Sequence, residues 1–278
     1  MLSIIICSIS TKEVDLIRKN ISDTIGVNFN YELLVFDNNV AKYGITTIYN
    51  QLASKSKYSN LLFIHEDVAF ITTNWGVKLI QLLQNKKNGI IGLAGSTYLP
   101  SVPSGWYLHD EKYNNVYIHQ GFKYKEAPIR FDNQGKDLTP VYLLDGVFLA
   151  MRKEVWLEFP FNERLGGFHA YDVDICQRVC SKYQNLFTNQ IELLHKSEGK
   201  VDEIYFDSIL SYKKPYLNYN YPKRDFKIEV ELLKQLYLNI RCFYDKYDSI
   251  SKIKNYYSIR ILGIYGYFKF KKFLKNAR

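Results

Sequence analysis

The sequence predicts an α/β fold, an open sheet of buried strands with helices between them. Short continuous apolar runs, four within the first 95 residues, alternate with segments whose apolar residues recur at helical spacing. Successive runs end in acidic or amide residues, at the strand ends where an open α/β sheet places its ligands. The composition agrees: 278 residues, 47% hydrophobic and 16% aromatic, suit one large domain or one and a half. That is too apolar for a disordered chain, and no apolar run approaches the roughly 18 residues of a membrane span.

Residues 3–8 (SIIICS) read as a strand buried on both faces of a parallel sheet. Residues 11–24 place Val14, Ile17 and Ile21 at helical spacing behind a Ser10 or Thr11 cap. Residues 31–36 (YELLVF) form a second strand ending at Asp37-Asn38-Asn39, followed by a helix over 44–55. Residues 61–65 (LLFIH) are a third strand ending at Glu66-Asp67. A helix over 75–84 and a fourth strand over 89–95 (GIIGLAG) complete right-handed crossover units. Residues 96–140 turn to Gly, Pro, Ser, Tyr and Trp, as in a binding loop, with a hairpin turn at Asn114-Asn115. Residues 141–144 lead into Asp145-Gly146 and a strand over 147–151. The Gly166-Gly167 turn then opens a helix bearing Asp172 and Asp174 ahead of Cys176, Val179 and Cys180.

Charge divides the chain. Residues 1–210 hold 21 Lys+Arg against 23 Asp+Glu, whereas residues 211–278 hold 16 against 5, with 16 Tyr or Phe. A near-neutral body with acids at its strand ends repels phosphate backbones, so no nucleic-acid partner is expected of it, and a non-catalytic nucleic-acid or membrane-binding role through the basic, aromatic tail is left as an alternative. The tail is helical from Phe226 onward, and two readings of it stand. A basic amphipathic helix suits a membrane surface; on that reading, deletion from about residue 226 leaves donor hydrolysis intact and reduces vesicle binding. The alternative is a helical hairpin packed on the body. The apolar N-terminus lacks a basic leader, and four cysteines show no paired or zinc spacing, so a cytoplasmic protein with reduced thiols is expected.

Two acid groups carry candidate chemistry. Glu66 and Asp67, adjacent after an apolar strand, repel each other unless a cation or hydrogen-bond donors neutralise them. Asp172 and Asp174 suit a helix N-terminus, but a Gly-Gly turn aiming an acid into a cleft is also what a catalytic base needs.

Read together, SIIICS, YELLVFDNN, LLFIHEDV, AGSTYLPSVPSGW, and LDGVFLAMRKEVW followed by GGFHAYDVDICQRV resemble the family 2 glycosyltransferases of GT-A fold, and more narrowly their bacterial glycosyltransferase-like relatives. The likeness covers roughly residues 3–205. It implies a Rossmann-like nucleotide-diphospho-sugar transferase fold over residues 1–210, with a nucleotide-sugar half (1–100), an acceptor half (101–210) and a helical C-terminal extension (211–278). By the same resemblance Asp37 contacts uracil or ribose, and Asn50 lies near the nucleotide, with Ser8, Asn38 and Glu66 in the same group. Asp67 ligates Mn²⁺ or Mg²⁺ at the place of the Asp-x-Asp element, and His195 completes that site. Asp172 falls on the general base. Trp106, Tyr107, Asp145, Gly146, His169 and Asp174 fall on the acceptor or sugar side. Two departures stand out: His65 replaces the first acid of Asp-x-Asp, and Tyr171 replaces the Glu before the base, whose supporting hydrogen bond must come from elsewhere.

The implied reaction is inverting, metal-dependent transfer of a hexosyl-type sugar from a nucleotide sugar, a UDP-sugar, to a glycan or lipid-linked acceptor in bacterial surface polysaccharide or glycoconjugate synthesis, at the inner face of the plasma membrane. The residue types suit it. A leaving diphosphate needs a hard cation, histidine shifts preference toward Mn²⁺, and the acceptor hydroxyl needs a carboxylate to take its proton. A sugar-nucleotide nucleotidyltransferase would carry a Gly-rich basic loop after the first strand, and Ser8-Ile9-Ser10-Thr11 is not one.

Overall fold

The computed structural model describes residues 1–132, 137–199, 201–211 and 224–277. The first apolar run is strand β1 (Leu2–Ser8), with Ile4, Ile5 and Ile6 wholly buried. Helix α1 (Thr11–Thr24) follows, capped by Ser10 and turning Val14, Ile17 and Ile21 inward. The alternation continues through β2 (Tyr31–Asp37), α2 (Ile45–Lys55), β3 (Asn60–Ile64), β4 (Val68–Phe70), α3 (Trp75–Leu83) and β5 (Asn88–Gly92). β1 lies between β2 and β3, parallel to both. Ile4 and Ile6 join one core with Leu62 and Ile64, while Ile5 joins another with Leu61 and Phe63. With side chains alternating along a strand, these cores cover the two faces of the sheet.

The stretch 89–95 is two strands, not one. β5 enters the main sheet, and β6 (Ala94–Ser96) pairs antiparallel with β7 (Asn114–Gln120) in a second sheet. Glycines permit the crossover: a Cβ at Gly92 would lie 2.7 Å from Leu144, and one at Gly95 would collide with the Leu143 carbonyl. Asn114 and Asn115 likewise begin β7 instead of forming a hairpin turn. Asn114 is buried because its amide satisfies the backbone of Leu108, accepting from its N–H at 2.9 Å and donating to its carbonyl at 2.6 Å.

The body continues through β8 (Ile129–Asp132), β9 (Leu138–Val141), β10 (Leu143–Leu144), β11 (Phe148–Arg152), α4 (Lys153–Glu158), α5 (Tyr171–Val179), β12 (Gln184–Thr188), β13 (Leu193–His195) and α6 (Glu203–Ser211). The main sheet runs β2-β1-β3-β11-β5-β12-β9 and the second β10-β6-β7-β13-β4. β11 is antiparallel to β3 and β5, and β9 to β12, so the sheet is mixed and not wholly parallel.

The C-terminal helices α7 (Phe226–Ile240), α8 (Lys246–Ile253) and α9 (Ile259–Asn276) do not stand apart from the body. A third core joins Leu233, Tyr237, Ile253, Leu262 and Phe270 to Tyr98, Val102, Leu108, Ala170, Phe206 and Ile209, across the division at residue 210. Glu229 of α7 is fully buried, and its carboxylate accepts from the Tyr98 hydroxyl (2.8 Å) and from the N–H groups of Ser101 (2.7 Å) and Val102 (2.9 Å). The extension is thus bolted to the loop that follows β6. Residues 212–223 of the expected extension lie outside the described residues. Among the described residues no helix is long and apolar enough to cross a membrane.

Candidate active site

Because β1, β2 and β3 are parallel, their carboxyl ends share one edge, the usual ligand edge of such a sheet. Ser8 there is in register with Asp37, and His65-Glu66-Asp67 follows β3 directly. The two adjacent carboxylates are neutralised separately. Glu66 turns back to β1, accepting from the Ser8 hydroxyl and from the N–H groups of Ile9 (3.1 Å) and Ser10 (3.0 Å). Glu66 and Ser8 therefore build the β1–α1 loop with the side chains assigned to the nucleotide. Asn38 is buried and closes a turn on the backbone of Tyr43, at 2.9 Å in both directions. Asp37 is exposed at the end of β2, with Oδ1 accepting from the Asn39 side chain at 2.8 Å. Asn50 does not reach this edge. Its amide accepts from Trp156 Nε1 and Phe161 N–H, both 3.0 Å, and donates to the Phe161 carbonyl (2.8 Å), pinning α2 beside a separate shallow groove.

Asp67 meets a different set. His65, Asp67 and His195 bring one ligand atom each to within 4.8 Å of one another. The register of β13, which pairs His195 with Val68 on one side and Gln120 on the other, makes the meeting possible. His195 Nε2 lies 3.5 Å from Asp67 Oδ1, and its Nδ1 faces Gln120 Oε1 at 3.1 Å. Gln120 Nε2 donates to the carbonyl of Ser197 at 2.6 Å, which fixes its oxygen toward the imidazole. Nδ1 of His195 therefore donates to Gln120, which turns Nε2 toward Asp67 and the cluster. Burial opposes ionisation of Asp67, but the hydrogen bond and charge of His195 outweigh it and hold the carboxyl below its usual range. Burial, reinforced by His195, pulls His65 down toward the neutral form. An ionised carboxylate and neutral imidazoles are the states in which these groups bind metal. Two nitrogens with one oxygen suit Mn²⁺ better than Mg²⁺. His65 was legible only as a departure from Asp-x-Asp, and Gln120 carried no sequence signal. Replacing Gln120 by Leu is expected to weaken Mn²⁺ binding about 10–100-fold by calorimetry, as loss of a group orienting a ligand does. Unchanged affinity would remove Gln120 from that role.

Asp172 opens α5 behind Ala170, whose backbone is left-handed (φ 61°). Its carboxylate accepts from the N–H of Val173 (2.8 Å) and of Gly146 (3.2 Å). The latter supplies the support that Tyr171, in place of a glutamate, does not. Burial and then the charge of Asp145 push Asp172 up to about 7, where a base titrates near neutral pH. Gly146 must be glycine, because a Cβ there would overlap the Tyr171 hydroxyl. That hydroxyl lies 3.0 Å from His65 Nε2, linking the helix that carries Asp172 to the His–Asp–His cluster. Asp174 points elsewhere: it is buried against Arg178 at 2.6 Å, and Arg178 also holds the Pro160 carbonyl at 2.8 Å. The residue assigned by resemblance to the acceptor side is held in an i, i+4 ion pair, as its spacing from Arg178 allows.

One cavity of about 550 Å³ collects the remainder. Trp106, Tyr107, Asp145, Gly146, His169 and Asp172 line it together with His65 and His195. Its size is that of an ordinary small-molecule site. Trp106 and Tyr107 stand edge to face, 5.5 Å between ring centroids, and Tyr205, which the sequence did not single out, meets His169 in the same way.

A family model described as glycosyltransferase-like matches residues 3–201. No curated protein matches the chain by sequence. Among solved structures, S. aureus TarS 1-349 in complex with UDP aligns with a TM-score of 0.54 at 11% identity, covering 100% of this chain and 92% of that one. GalNAc-T7 with UDP, GalNAc and Mn²⁺ aligns at 0.53 and 10% identity, covering 92% of this chain and 54% of that one. The chain thus spans about half the length of GalNAc-T7, and at these identities the likeness is one of fold.

Proposed function

The chain belongs to the glycosyltransferase-like family and has the GT-A fold, and on that premise we propose that it moves a sugar, with inversion, from a UDP-sugar to a hydroxyl of a glycan or lipid-linked acceptor. One observation carries the reading: a single cavity is lined by the two histidines of the His–Asp–His cluster and by a separate half-buried carboxylate, Asp172, pushed up to about 7. The ligands in the two similar structures, UDP in both and Mn²⁺ in one, favour the same assignment.

His65, Asp67 and His195 would hold Mn²⁺ or Mg²⁺, which supplies positive charge to the departing diphosphate. Asp37, exposed at the end of β2, is offered to the base or ribose of the nucleotide. Asp172 takes the proton of the acceptor hydroxyl, its basicity raised by burial and by Asp145. Trp106 and Tyr107 give the sugar two apolar ring surfaces. The setting proposed is bacterial surface polysaccharide or glycoconjugate synthesis, with the basic C-terminal helices toward a membrane.

The test is a melting series with nucleoside diphosphates and nucleotide sugars, with and without Mn²⁺. Ligand at about 100 times its Kd adds about 2.7 kcal/mol to stability, so the correct nucleotide should raise the melting temperature and do so only with metal. A melting temperature indifferent to every nucleotide in the presence of Mn²⁺ would defeat the reading.

A further inference from the structure

Helix α9 is broken at Gly263, whose φ of 69° and ψ of 168° are not helical. Beside the break, between α7 and α9, lies an apolar groove of about 520 Å³ lined by Phe226, Val230, Ile259, Leu262 and Ile264, with Lys227 and Lys269 at its edges. Two glycines shape it. A Cβ at Gly266 would lie 2.5 Å from Val230, so that glycine lets the helices close on each other, while Gly263 sits on the Phe226 ring.

The surface around the groove is apolar where a soluble helix would be polar. Ile264 is 68% exposed, Tyr265 82% and Phe268 57%. Beyond the break, helical spacing puts Gly266, Phe270 and Phe273 toward α7, and Ile264, Phe268, Lys271, Lys272 and Lys275 on the opposite side. That outer face starts apolar and ends basic. α9 carries five basic residues and no acidic one. An apolar tip behind a collar of lysines matches a bilayer with anionic headgroups: the rings and Ile264 reach the acyl region while the lysines extend to the phosphates.

We propose that this end of the α7–α9 pair docks on an anionic lipid bilayer, with one acyl chain entering the groove at Gly263. The proposal narrows the membrane association put forward above to a single apolar tip. It rests on none of the transfer chemistry, so vesicle binding and sugar transfer can fail separately.

The experiment uses the full chain and two sets of vesicles, pure phosphatidylcholine and a mixture containing phosphatidylglycerol. Co-sedimentation should favour the anionic vesicles and weaken as salt is raised. The pair Ile264→Ser with Phe268→Ser should lower binding at least about tenfold. The set Lys271→Gln, Lys272→Gln and Lys275→Gln should do so on anionic vesicles, at roughly fivefold per lysine. All five positions are exposed or face outward, so unchanged melting temperatures would establish that the variants fold. A Tyr265→Trp reporter should shift its emission to the blue and be quenched by lipids brominated along the acyl chain. Equal binding to both vesicle types, variants that bind like the parent, or a reporter untouched by brominated lipid would each overturn the proposal. So would a lipid-free dimer in sedimentation velocity that the same variants abolish, which would make this face an interface between copies of the chain.

Discussion

Asp172→Asn is expected to cut sugar transfer about 10²–10⁴-fold while leaving Mn²⁺-dependent UDP binding unchanged, the signature of a lost general base. The amide can still accept from the N–H of Val173 or Gly146, so the helix start keeps its shape. The pH profile follows from the same carboxylate. A base works only when deprotonated, so transfer by the parent should rise with pH through about 7 and then level off. Stability runs the other way. With its folded pKa raised above the ordinary 3.8, Asp172 favours the folded state at low pH, and this contribution is lost as pH climbs toward 7. Between those limits the change is on the order of 4 kcal/mol. The Asn variant should therefore melt higher than the metal-free parent at pH 8 and lose that advantage near pH 4. Full transfer activity in Asp172→Asn would sink the assignment, and loss of UDP binding would move Asp172 to the donor side.

Glu229→Ala is expected to destabilise the chain by about 3–5 kcal/mol, although Glu229 lies in the C-terminal helices and not in the body. The substitution leaves the Tyr98 hydroxyl and the N–H groups of Ser101 and Val102 without their carboxylate, beside a core made jointly by α7–α9 and the body. Tyr98→Phe removes one donor of the three and should cost about 1 kcal/mol. Denaturant midpoints distinguish the cases, and a loss under about 1 kcal/mol in Glu229→Ala would show that the buried carboxylate does not hold the loop. The same packing reverses one expectation from sequence. Deletion from about residue 226 removes most of the third core, so it should yield an insoluble body instead of a working donor site.

Much of the fold was legible because burial on both faces leaves a plain mark: β1 and β3 are continuous apolar runs that stop where the strands end, and β2, half-buried at the sheet's edge, keeps a shorter one in LLVF. Asp67, His195 and Asp172 were singled out through resemblance; the structure sets Asp67 beside His195, and His195 and Asp172 line one cavity. What stayed hidden depends on partners far along the chain. Nothing near Glu66 in sequence shows that its donors lie 56 to 58 residues earlier, so resemblance alone separated it from Asp67, the acid that meets the histidines. Asn50 matched a nucleotide-side position, yet its partners are 106 to 113 residues away, in α4 and the loop after it. Glu229 sits in KIEVELLK, where a glutamate ordinarily faces water; its burial follows from a loop 127 to 131 residues upstream. The glycine-rich stretch 89–95 hid a change of sheet, because a pattern of apolar residues does not say which neighbour each half will pair with.

The proposed transfer needs a metal and nucleotide site assembled from His65, Asp67 and His195. Electron paramagnetic resonance of free Mn²⁺, titrated with the full chain in the presence and absence of UDP, tests it most directly. One Mn²⁺ per chain should disappear from the free signal when UDP is present, and His65→Ala and His195→Ala, folded by their melting curves, should restore the signal. A free Mn²⁺ signal that the parent chain leaves unchanged with UDP, or that both variants deplete as fully as the parent, would contradict it.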